Sequence, residues 1–162
     1  MQLYTQHYQS PLGILKITAT ATAVIAITFC EINTPDFTNH NHVTALACLE
    51  LQQYFEQGLQ YFTVPLQASG TPFQQQVWLS LLTIPYGSTT TYKQQANKLG
   101  NPLVIRAMAN ANGKNPIAIM IPCHRVIGSN GGLTGYAGGL SRKAGLLQHE
   151  ATVVGKNNLL FI

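Results

Sequence analysis

The sequence predicts an α+β protein, with a small N-terminal β-sheet and helix followed by a mainly helical C-terminal part. Three observations support this fold class. Apolar and polar residues alternate over residues 13–22, and from Val43 the apolar residues recur at helical spacing. The stretch 67–72 has the composition of a linker. The charge balance changes sign at the same place, so we expect one domain over residues 1–68 and a second over 69–162.

Charge is sparse and unevenly placed in this chain of 162 residues. Charged residues make up 9% of the sequence, well below the usual quarter. Residues 1–70 hold one lysine and four acids, a net charge of −3, whereas residues 71–162 hold eight bases and one acid, a net charge of +7. The second half is therefore suited to binding a polyanion, and Glu150 is the single acidic residue within it.

The composition excludes several classes of protein. The longest apolar stretches, such as 23–30, are too short to cross a bilayer, and residues 1–5 do not resemble the start of a signal peptide. Cys30, Cys48 and Cys123 are odd in number and too widely spaced for a zinc knuckle or a redox pair. We therefore expect a cytoplasmic protein with free thiols and no membrane partner, or a nuclear one if its source is eukaryotic.

The first third of the chain predicts strands and then a helix. Residues 13–30 first alternate between apolar and polar side chains and then become β-branched and apolar, which predicts a hairpin or small sheet. Residues 31–41 form a polar loop. From Val43 the apolar residues recur at helical spacing as far as Gly58, a suitable C-cap. Residues 62–66 form a short extended segment.

The second part of the chain predicts short helices. Apolar spacing favours a helix over 73–82 and another over 140–149. Between them, Thr91 and Gln94 fit the capping box of a helix that ends at Gly100.

A second short helix follows directly and completes a helix-turn-helix. Asn101 serves as its N-cap, Pro102 as its first residue, and it continues to about Asn112 with Gly113 as the C-cap. Such a pair of helices also packs without nucleic acid, so DNA binding and plain packing are both open at this point. Four of the eight bases lie on or beside the pair: Lys93, Lys98, Arg106 and Lys114.

The residues most suited to chemistry are Cys123 and its neighbours. An apolar run over 117–121 leads the chain toward the interior and ends at Pro122. Apolar surroundings raise the pKa of a thiol, whereas the adjacent His124 and Arg125 favour the nucleophilic thiolate. The helical stretch before Glu150 can return that acid to His124. The alternative is a packed core cysteine beside a surface histidine, which is the usual state of such a pair.

Six glycines surround Tyr136 within the stretch 126–140. Dense glycine allows the backbone to fold tightly and to approach a ligand closely. Beside a candidate nucleophile, this pattern predicts a pocket with a flat aromatic wall, as is needed to hold a base extruded from DNA. The alternative is a floppy surface loop.

Six short motifs then carry a resemblance to a known family. They are G-T-P-F at 70–73, I-P-Y-G at 84–87, N-P-I at 115–117, P-C-H-R-V-I-G at 122–128, G-Y-A-G-G-L at 135–140 and L-L-Q-H-E at 146–150. With them the chain resembles the methylated-DNA–protein-cysteine methyltransferases, also called O6-alkylguanine-DNA alkyltransferases, closely over residues 70–155 and in outline before them. The resemblance implies an RNase H-like first domain and a helix-turn-helix second domain that binds DNA and accepts the alkyl group.

The resemblance also implies a reaction. Cys123 attacks the alkyl carbon of O6-alkylguanine in duplex DNA and keeps the alkyl group as a thioether, so each molecule reacts once. His124 takes the thiol proton through a water, and Glu150 orients His124. Tyr92 helps to rotate the lesion out and protonates the leaving guanine, while Asn115 braces the turn before the cysteine segment. O4-alkylthymine is a second candidate substrate.

DNA contacts and a base pocket follow from the same resemblance, with Arg106 filling the gap in the base stack from the minor groove. The expected partner is double-stranded DNA that contains O6-alkylguanine, the expected state is a monomer, and no cofactor is expected. Trp78 considered alone favours core packing. The expected DNA-binding residues are Tyr92, Lys93, Arg106, Ala107, Asn112 and Gly113. The expected pocket residues are Tyr136, Val126, Ala137, Met120 and Trp78, with the backbone of Cys123.

Two positions depart from the family pattern, and two other functions are open. Ala109 adds a methyl group where relatives usually have glycine near the DNA, and Gly145 interrupts the last helix. The histidines and cysteines of the first domain fit no standard metal spacing, so no metal is expected. A non-catalytic lesion-binding protein is one alternative, although such relatives lack a cysteine at position 123. A cysteine hydrolase is the other, and the charge distribution does not support it.

Overall fold

The computed structural model of the chain describes residues 1–31 and 39–156. They form two compact units, of which the first combines Met1–Ser69 with Pro116–Met120. The first unit holds a three-stranded antiparallel sheet and a helix, and the second is mainly helical, which confirms the predicted α+β class. The segment Pro116–Met120 groups with the first unit although it follows the expected boundary in the sequence.

The first unit is a meander with one helix on it. Its strands β1 (Tyr4–Ser10), β2 (Gly13–Ala19) and β3 (Val24–Cys30) pair antiparallel in chain order. The helix α1 (His42–Gln57) packs against β1 and β2. The buried core of the unit includes Leu15, Ile17, Ile27, Leu51 and Tyr54.

Both ends of α1 are set by local sequence. Asn41 accepts the N–H groups of Val43 and Thr44, and the Thr44 hydroxyl accepts the N–H of Asn41, which completes a capping box. Gly58 closes the helix with a left-handed φ of 69°, as predicted. The loop predicted over 31–41 lies mostly outside the described residues.

One buried carboxylate holds the segment that follows α1. Glu50 accepts the backbone N–H groups of Thr63 at 2.9 Å and Val64 at 3.1 Å. Leu66 then forms a single parallel bridge with Val24. The segment predicted to be extended is therefore held by isolated contacts and does not become a full strand.

The apolar run before the cysteine lies along β3. Ile27 donates its N–H to Pro116 O at 2.9 Å and accepts the N–H of Ala118 at 3.0 Å. A three-residue turn follows, in which Met120 N donates to Ala118 O at 2.8 Å around Ile119. Ile119 has a φ of 70°, which is rare and costly for a β-branched residue. Buried packing therefore holds this turn, and the prediction that the run enters the interior is confirmed.

The second unit is built from short helices. A two-residue parallel pair joins β4 (Thr90–Thr91) to β5 (Val126–Ile127). No helix among the described residues is long and apolar enough to span a membrane. The four α-helices of the unit are α2 (Pro72–Leu81), α3 (Tyr92–Lys98), α4 (Ile105–Gly113) and α5 (Leu140–Val153).

The helix-turn-helix is present, with two differences from its prediction. Thr91 and Gln94 form the predicted capping box of α3. Asn101 accepts the N–H of Leu103, but Pro102–Val104 forms a 3₁₀ turn and the α-helix begins only at Ile105. The predicted C-cap at Gly113 is wrong, because α4 ends through a tightened turn in which Lys114 donates to Asn110 O and Ala111 O.

Buried amides fix these helices to one another. Gln95 on α3 and Asn112 on α4 exchange two side-chain hydrogen bonds of 2.8 and 3.2 Å, and Gln95 also donates to Ser80 on α2. The indole N–H of Trp78 donates to Ala111 O at 2.9 Å. Paired donors and acceptors make this polar contact favourable in a buried place.

Gly87 lies in a turn of the chain that contacts the C-terminal end of α5. Its φ is 73°, and a Cβ atom there would lie 2.7 and 2.9 Å from the two Cγ atoms of Val154. Its N–H donates to Glu150 Oε2 at 3.3 Å, and its carbonyl accepts Lys156 Nζ at 2.8 Å. A side chain at position 87 would therefore meet both backbone strain and a clash.

Gly87→Ala should lower the free energy of unfolding more than Gly100→Ala, as measured by denaturant unfolding. Gly100 is the matched control, because its φ is 81° but nothing lies within 4 Å of the added Cβ. Gly100→Ala should cost about 1–2 kcal/mol from backbone strain alone. Gly87→Ala should cost a further 1–3 kcal/mol or so from overpacking. Equal losses in the two variants would contradict the proposed contact with Val154.

Candidate active site

The centre of the site is a buried carboxylate on α5. Glu150 Oε1 lies 2.7 Å from Nε2 of His124, which belongs to a 3₁₀ turn, Cys123–Arg125. The two side chains are 1% and 0% exposed. The structure thus brings together His124 and the lone acid of the second half, the pair that the sequence pointed to.

Arg125 also binds the carboxylate of Glu150, a contact that the sequence did not predict. Its Nε donates to Glu150 Oε2 at 2.8 Å and its Nη2 to Oε1 at 2.9 Å, a bidentate ion pair. Its Nη1 donates to Ile84 O at 2.8 Å, and the guanidinium lies over the ring of Tyr86. The sequence predicts that Arg125 favours the thiolate together with His124, whereas in the structure its hydrogen bonds go to Glu150 and Ile84 O.

These contacts determine the charge of Glu150. Burial by itself raises the pKa of the carboxyl, but the charges of His124 and Arg125 and their hydrogen bonds lower it, and the net pKa lies well below the ordinary value. The group is therefore a carboxylate at neutral pH. Because it faces Nε2 of His124, that nitrogen carries the proton and Nδ1 is the free acceptor; Nδ1 has no hydrogen-bond partner among the described residues.

Cys123 is partly exposed, and its thiol is held by a side-chain amide. Asn115 Nδ2 donates to its Sγ at 3.2 Å and to Ile121 O at 2.8 Å, so Asn115 fixes both the thiol and the backbone before it. Burial raises the pKa of the thiol, while Asn115, the Lys143 ammonium and the backbone N–H groups of residues 123 and 124 lower it. The net direction is upward. Cys123 therefore rests as a thiol, and its reaction needs a base.

Polar contacts hold the glycine-rich segment in place. Tyr92 Oη and Lys143 Nζ both donate to Thr134 O, at 3.1 and 2.8 Å. Gly139 N donates to Tyr136 O at 3.0 Å just before α5 begins. The Tyr136 ring is buried, and its hydroxyl has no hydrogen-bond partner among the described residues. These contacts hold the segment in place, which disagrees with a floppy surface loop.

The expected DNA-binding residues differ in their exposure. Lys93, Arg106 and Ala107 are exposed, and Gly113 is half-buried at the end of α4. The side chain of Asn112, which is among the expected residues, is buried and its amide is paired with Gln95. A buried, satisfied amide is not available to a phosphate or a base.

The expected pocket residues differ in their burial. Val126 is buried directly after Arg125, and Ala137 is exposed beside Tyr136. Met120 is buried and groups with the first unit. The hydrogen bond of Trp78 to the end of α4 agrees with core packing. No group of three or more His, Cys, Asp or Glu side chains in the described part of the chain is placed to hold a metal.

Comparisons with known proteins match nearly the whole chain. The family model for the ribonuclease-like domain of 6-O-methylguanine DNA methyltransferase matches residues 3–68, and the model for its DNA binding domain matches residues 72–152. A methylated-DNA–protein-cysteine methyltransferase of Methanosarcina acetivorans is 41% identical over 155 residues, which cover 93% of this chain and 99% of that one.

Two further comparisons are with mycobacterial proteins. A methylated-DNA–protein-cysteine methyltransferase of Mycobacterium bovis is 54% identical over 101 residues, 62% of this chain, and this chain spans about 61% of its length. A crystal structure of Mycobacterium tuberculosis OGT in complex with DNA superimposes with a TM-score of 0.84 at 40% identity, covering 93% of this chain and 94% of that one.

Glu150→Gln should destabilise the second unit and remove part of its acid sensitivity. The pKa of Glu150 is lowered in the folded state, so its contribution to stability is present above the unfolded value of about 4.3 and is lost as the pH falls toward the folded value. At pH 7 the variant should lose about 3–5 kcal/mol of unfolding free energy, because Arg125 stays buried without its partner.

The measurement is denaturant unfolding between pH 7 and pH 2. Glu56→Gln is the control, because it removes the same charge from an exposed site and should keep the wild-type pH dependence. If Glu150→Gln lost as much unfolding free energy between pH 5 and pH 2 as the wild type does, the assigned ion pair would be contradicted.

Proposed function

Because the chain belongs to the family of methylated-DNA–protein-cysteine methyltransferases, we propose that it repairs O6-alkylguanine in duplex DNA by moving the alkyl group onto Sγ of Cys123. One observation carries this proposal. A thiol oriented by Asn115 is followed directly by a histidine whose far nitrogen is bound to a buried carboxylate. This is the arrangement of an activated nucleophile, in which a base is oriented by an acid.

The transfer begins with the thiol proton. It passes through a water to Nδ1 of His124, and Glu150 stabilises the imidazolium that forms. The thiolate then attacks the alkyl carbon: the S–C bond forms as the C–O6 bond breaks, and the bonding electron pair stays on the guanine oxygen. Tyr92 protonates the guanine, and solvent replaces that proton and removes the one held by His124. The product is a thioether at Cys123, so each molecule reacts once.

Arg125 makes this proton transfer feasible in a buried place. A lone carboxylate beside His124 would be costly to bury, but Arg125 neutralises it with a bidentate contact. The pair Glu150–Arg125 has no net charge at rest.

We assign DNA binding and alkyl acceptance to residues 69–162, as a monomer without a cofactor. Support comes from the DNA-bound structure of the Mycobacterium tuberculosis neighbour and from the exposed bases on the helix-turn-helix. Arg106 is exposed on α4, as a residue that enters the minor groove must be. The flipped base would lie against Tyr136. O4-alkylthymine as a second substrate and a cytoplasmic location are further parts of the proposal.

The proposed transfer predicts one methyl group per molecule on one cysteine. After incubation with duplex DNA containing O6-methylguanine, peptide mass spectrometry should find the methyl group on Cys123 and not on Cys30 or Cys48. The amount of repaired base should stop at the amount of protein. Cys123→Ser should transfer nothing. Repair that continues past one equivalent, or a methyl group on another residue, would overturn the proposal.

Arg106→Ala should impair the binding of duplex DNA without impairing the reaction of Cys123 itself. It should weaken duplex binding by about 1 kcal/mol or more and slow transfer from DNA, while the reaction of Cys123 with free alkylguanine base stays near the wild-type rate. Lys16→Ala is the control, because it removes an equal charge from the exposed face of β2. Binding should also fall steeply with salt. Equal losses of Arg106→Ala in both assays would assign that residue a structural role instead.

A further inference from the structure

Asparagine is followed by glycine at two places in the second unit, at Asn112 and at Asn130. In this dipeptide the backbone nitrogen of the glycine can attack the side-chain amide carbon of the asparagine, because both atoms belong to adjacent residues and close a five-membered ring. Glycine has no Cβ to obstruct the attack or to restrict the backbone. The two copies lie in opposite environments, so the fold decides which of them can react.

The copy at Asn112 is closed to this reaction. The side chain is 3% exposed, and its amide exchanges hydrogen bonds of 2.8 and 3.2 Å with the amide of Gln95. The following residue, Gly113, still belongs to α4. Attack on this amide carbon therefore requires both bonds to break and the end of a packed helix to open, which costs much of the local stability.

The copy at Asn130 is exposed, and its side chain folds back along the chain. Its Oδ1 accepts the backbone N–H of Gly132 at 2.9 Å, so the side-chain carbonyl is bonded across Gly131. A Cβ atom at position 132 would lie 3.6 Å from Cγ of Asn130, whereas one at position 131 would meet nothing within 4 Å. The amide is thus held against its own backbone, while the side of the attacking nitrogen is open to water.

We propose that Asn130 is a site of spontaneous deamidation, at which the amide becomes an aspartate or isoaspartate side chain. The hydrogen bond from Gly132 supports the reaction. Oδ1 gains negative charge when the amide carbon is attacked, and a donor that already points at this oxygen stabilises that charge. The proposal concerns the stability of the polypeptide itself and does not depend on alkyl transfer.

The reaction needs only water as a second reactant. Gly131 N loses its proton to solvent and bonds to Cγ of Asn130, the Cγ–Nδ2 bond breaks, and the departing nitrogen takes a proton and leaves as ammonia. Water then opens the cyclic imide. Addition at Cγ gives aspartate, and addition at the main-chain carbonyl gives isoaspartate. Either product is a carboxylate, so the eight bases of residues 71–162 then stand against two acidic side chains instead of one.

One hydrogen bond opposes the attack. Gly131 N donates to Gly128 O at 2.9 Å, so this turn must open before the nitrogen can react. Both Asn130 and Gly131 are exposed, and an exposed turn opens at a much lower cost than a buried helix end. The barrier from local structure is therefore smaller at Asn130 than at Asn112.

The experiment incubates the full chain in warm, mildly alkaline buffer and follows both asparagine-glycine peptides by mass spectrometry, with synthetic aspartate and isoaspartate peptides as chromatographic standards. Asn130 should deamidate about tenfold faster than Asn112 or more, because only Asn112 requires the helix to open. In concentrated urea the two should react at similar rates. Equal rates in the folded chain, or aspartate without isoaspartate at Asn130, would overturn the proposal.

Two variants test the backbone attack. Gly131→Ala should slow deamidation of Asn130 by about tenfold, because the added methyl group obstructs the nitrogen. Gly100→Ala is the matched control, since that glycine also has a positive φ and open space around an added Cβ, and it should leave the rate at Asn130 unchanged. Asn130→Gln keeps every glycine and should release no ammonia from position 130. A wild-type rate in either variant at this position would overturn the proposal.

Discussion

The second unit depends on the hydrogen bonds and ion pair that the carboxylate of Glu150 makes. It accepts hydrogen bonds from His124, from two nitrogens of Arg125 and from the backbone of Gly87, so one side chain joins α5, the cysteine turn and the chain before β4. Removing one partner from such a buried group leaves the others uncompensated, which makes the set cooperative. The same carboxylate sets the tautomer of the histidine next to the nucleophile, so stability and chemistry share one group.

The scarcity of acidic residues in the second half of the chain limits which partners the bases of this site can bind. In a half of the chain with eight bases and one acid, the bases that do not bind this acid need another partner. Arg125 binds the acid, whereas Arg142 and Lys143 donate to carbonyls of the glycine-rich segment. Lys143 and Glu150 are seven residues apart on α5, so they lie on one face, two turns from each other. From that face Lys143 binds Thr134 O, and Glu150 binds His124 and Arg125.

Local rules predicted the elements whose causes are local. The capping box at Thr91 and the left-handed Gly58 depend on a few neighbouring residues, and both occur as predicted. Gly113 satisfied the same kind of rule but did not act as a cap, because the chain continues through Lys114 in a tightened turn. Asn112 looked like a polar residue on a DNA-facing helix, yet it is paired with Gln95, which is 17 residues away in the sequence.

The sequence by itself determined the fold class, the place where the charge changes sign, and the identity of the cysteine, histidine and acid that form the candidate site. Short-range spacing and residue chemistry are sufficient for these features. Only the tertiary structure decided that Arg125 holds Glu150 in two contacts, that Asn115 reaches the thiol and that Lys143 is buried at Thr134 O. These contacts join residues that are distant in sequence, and burial, which no local pattern encodes, sets their strength.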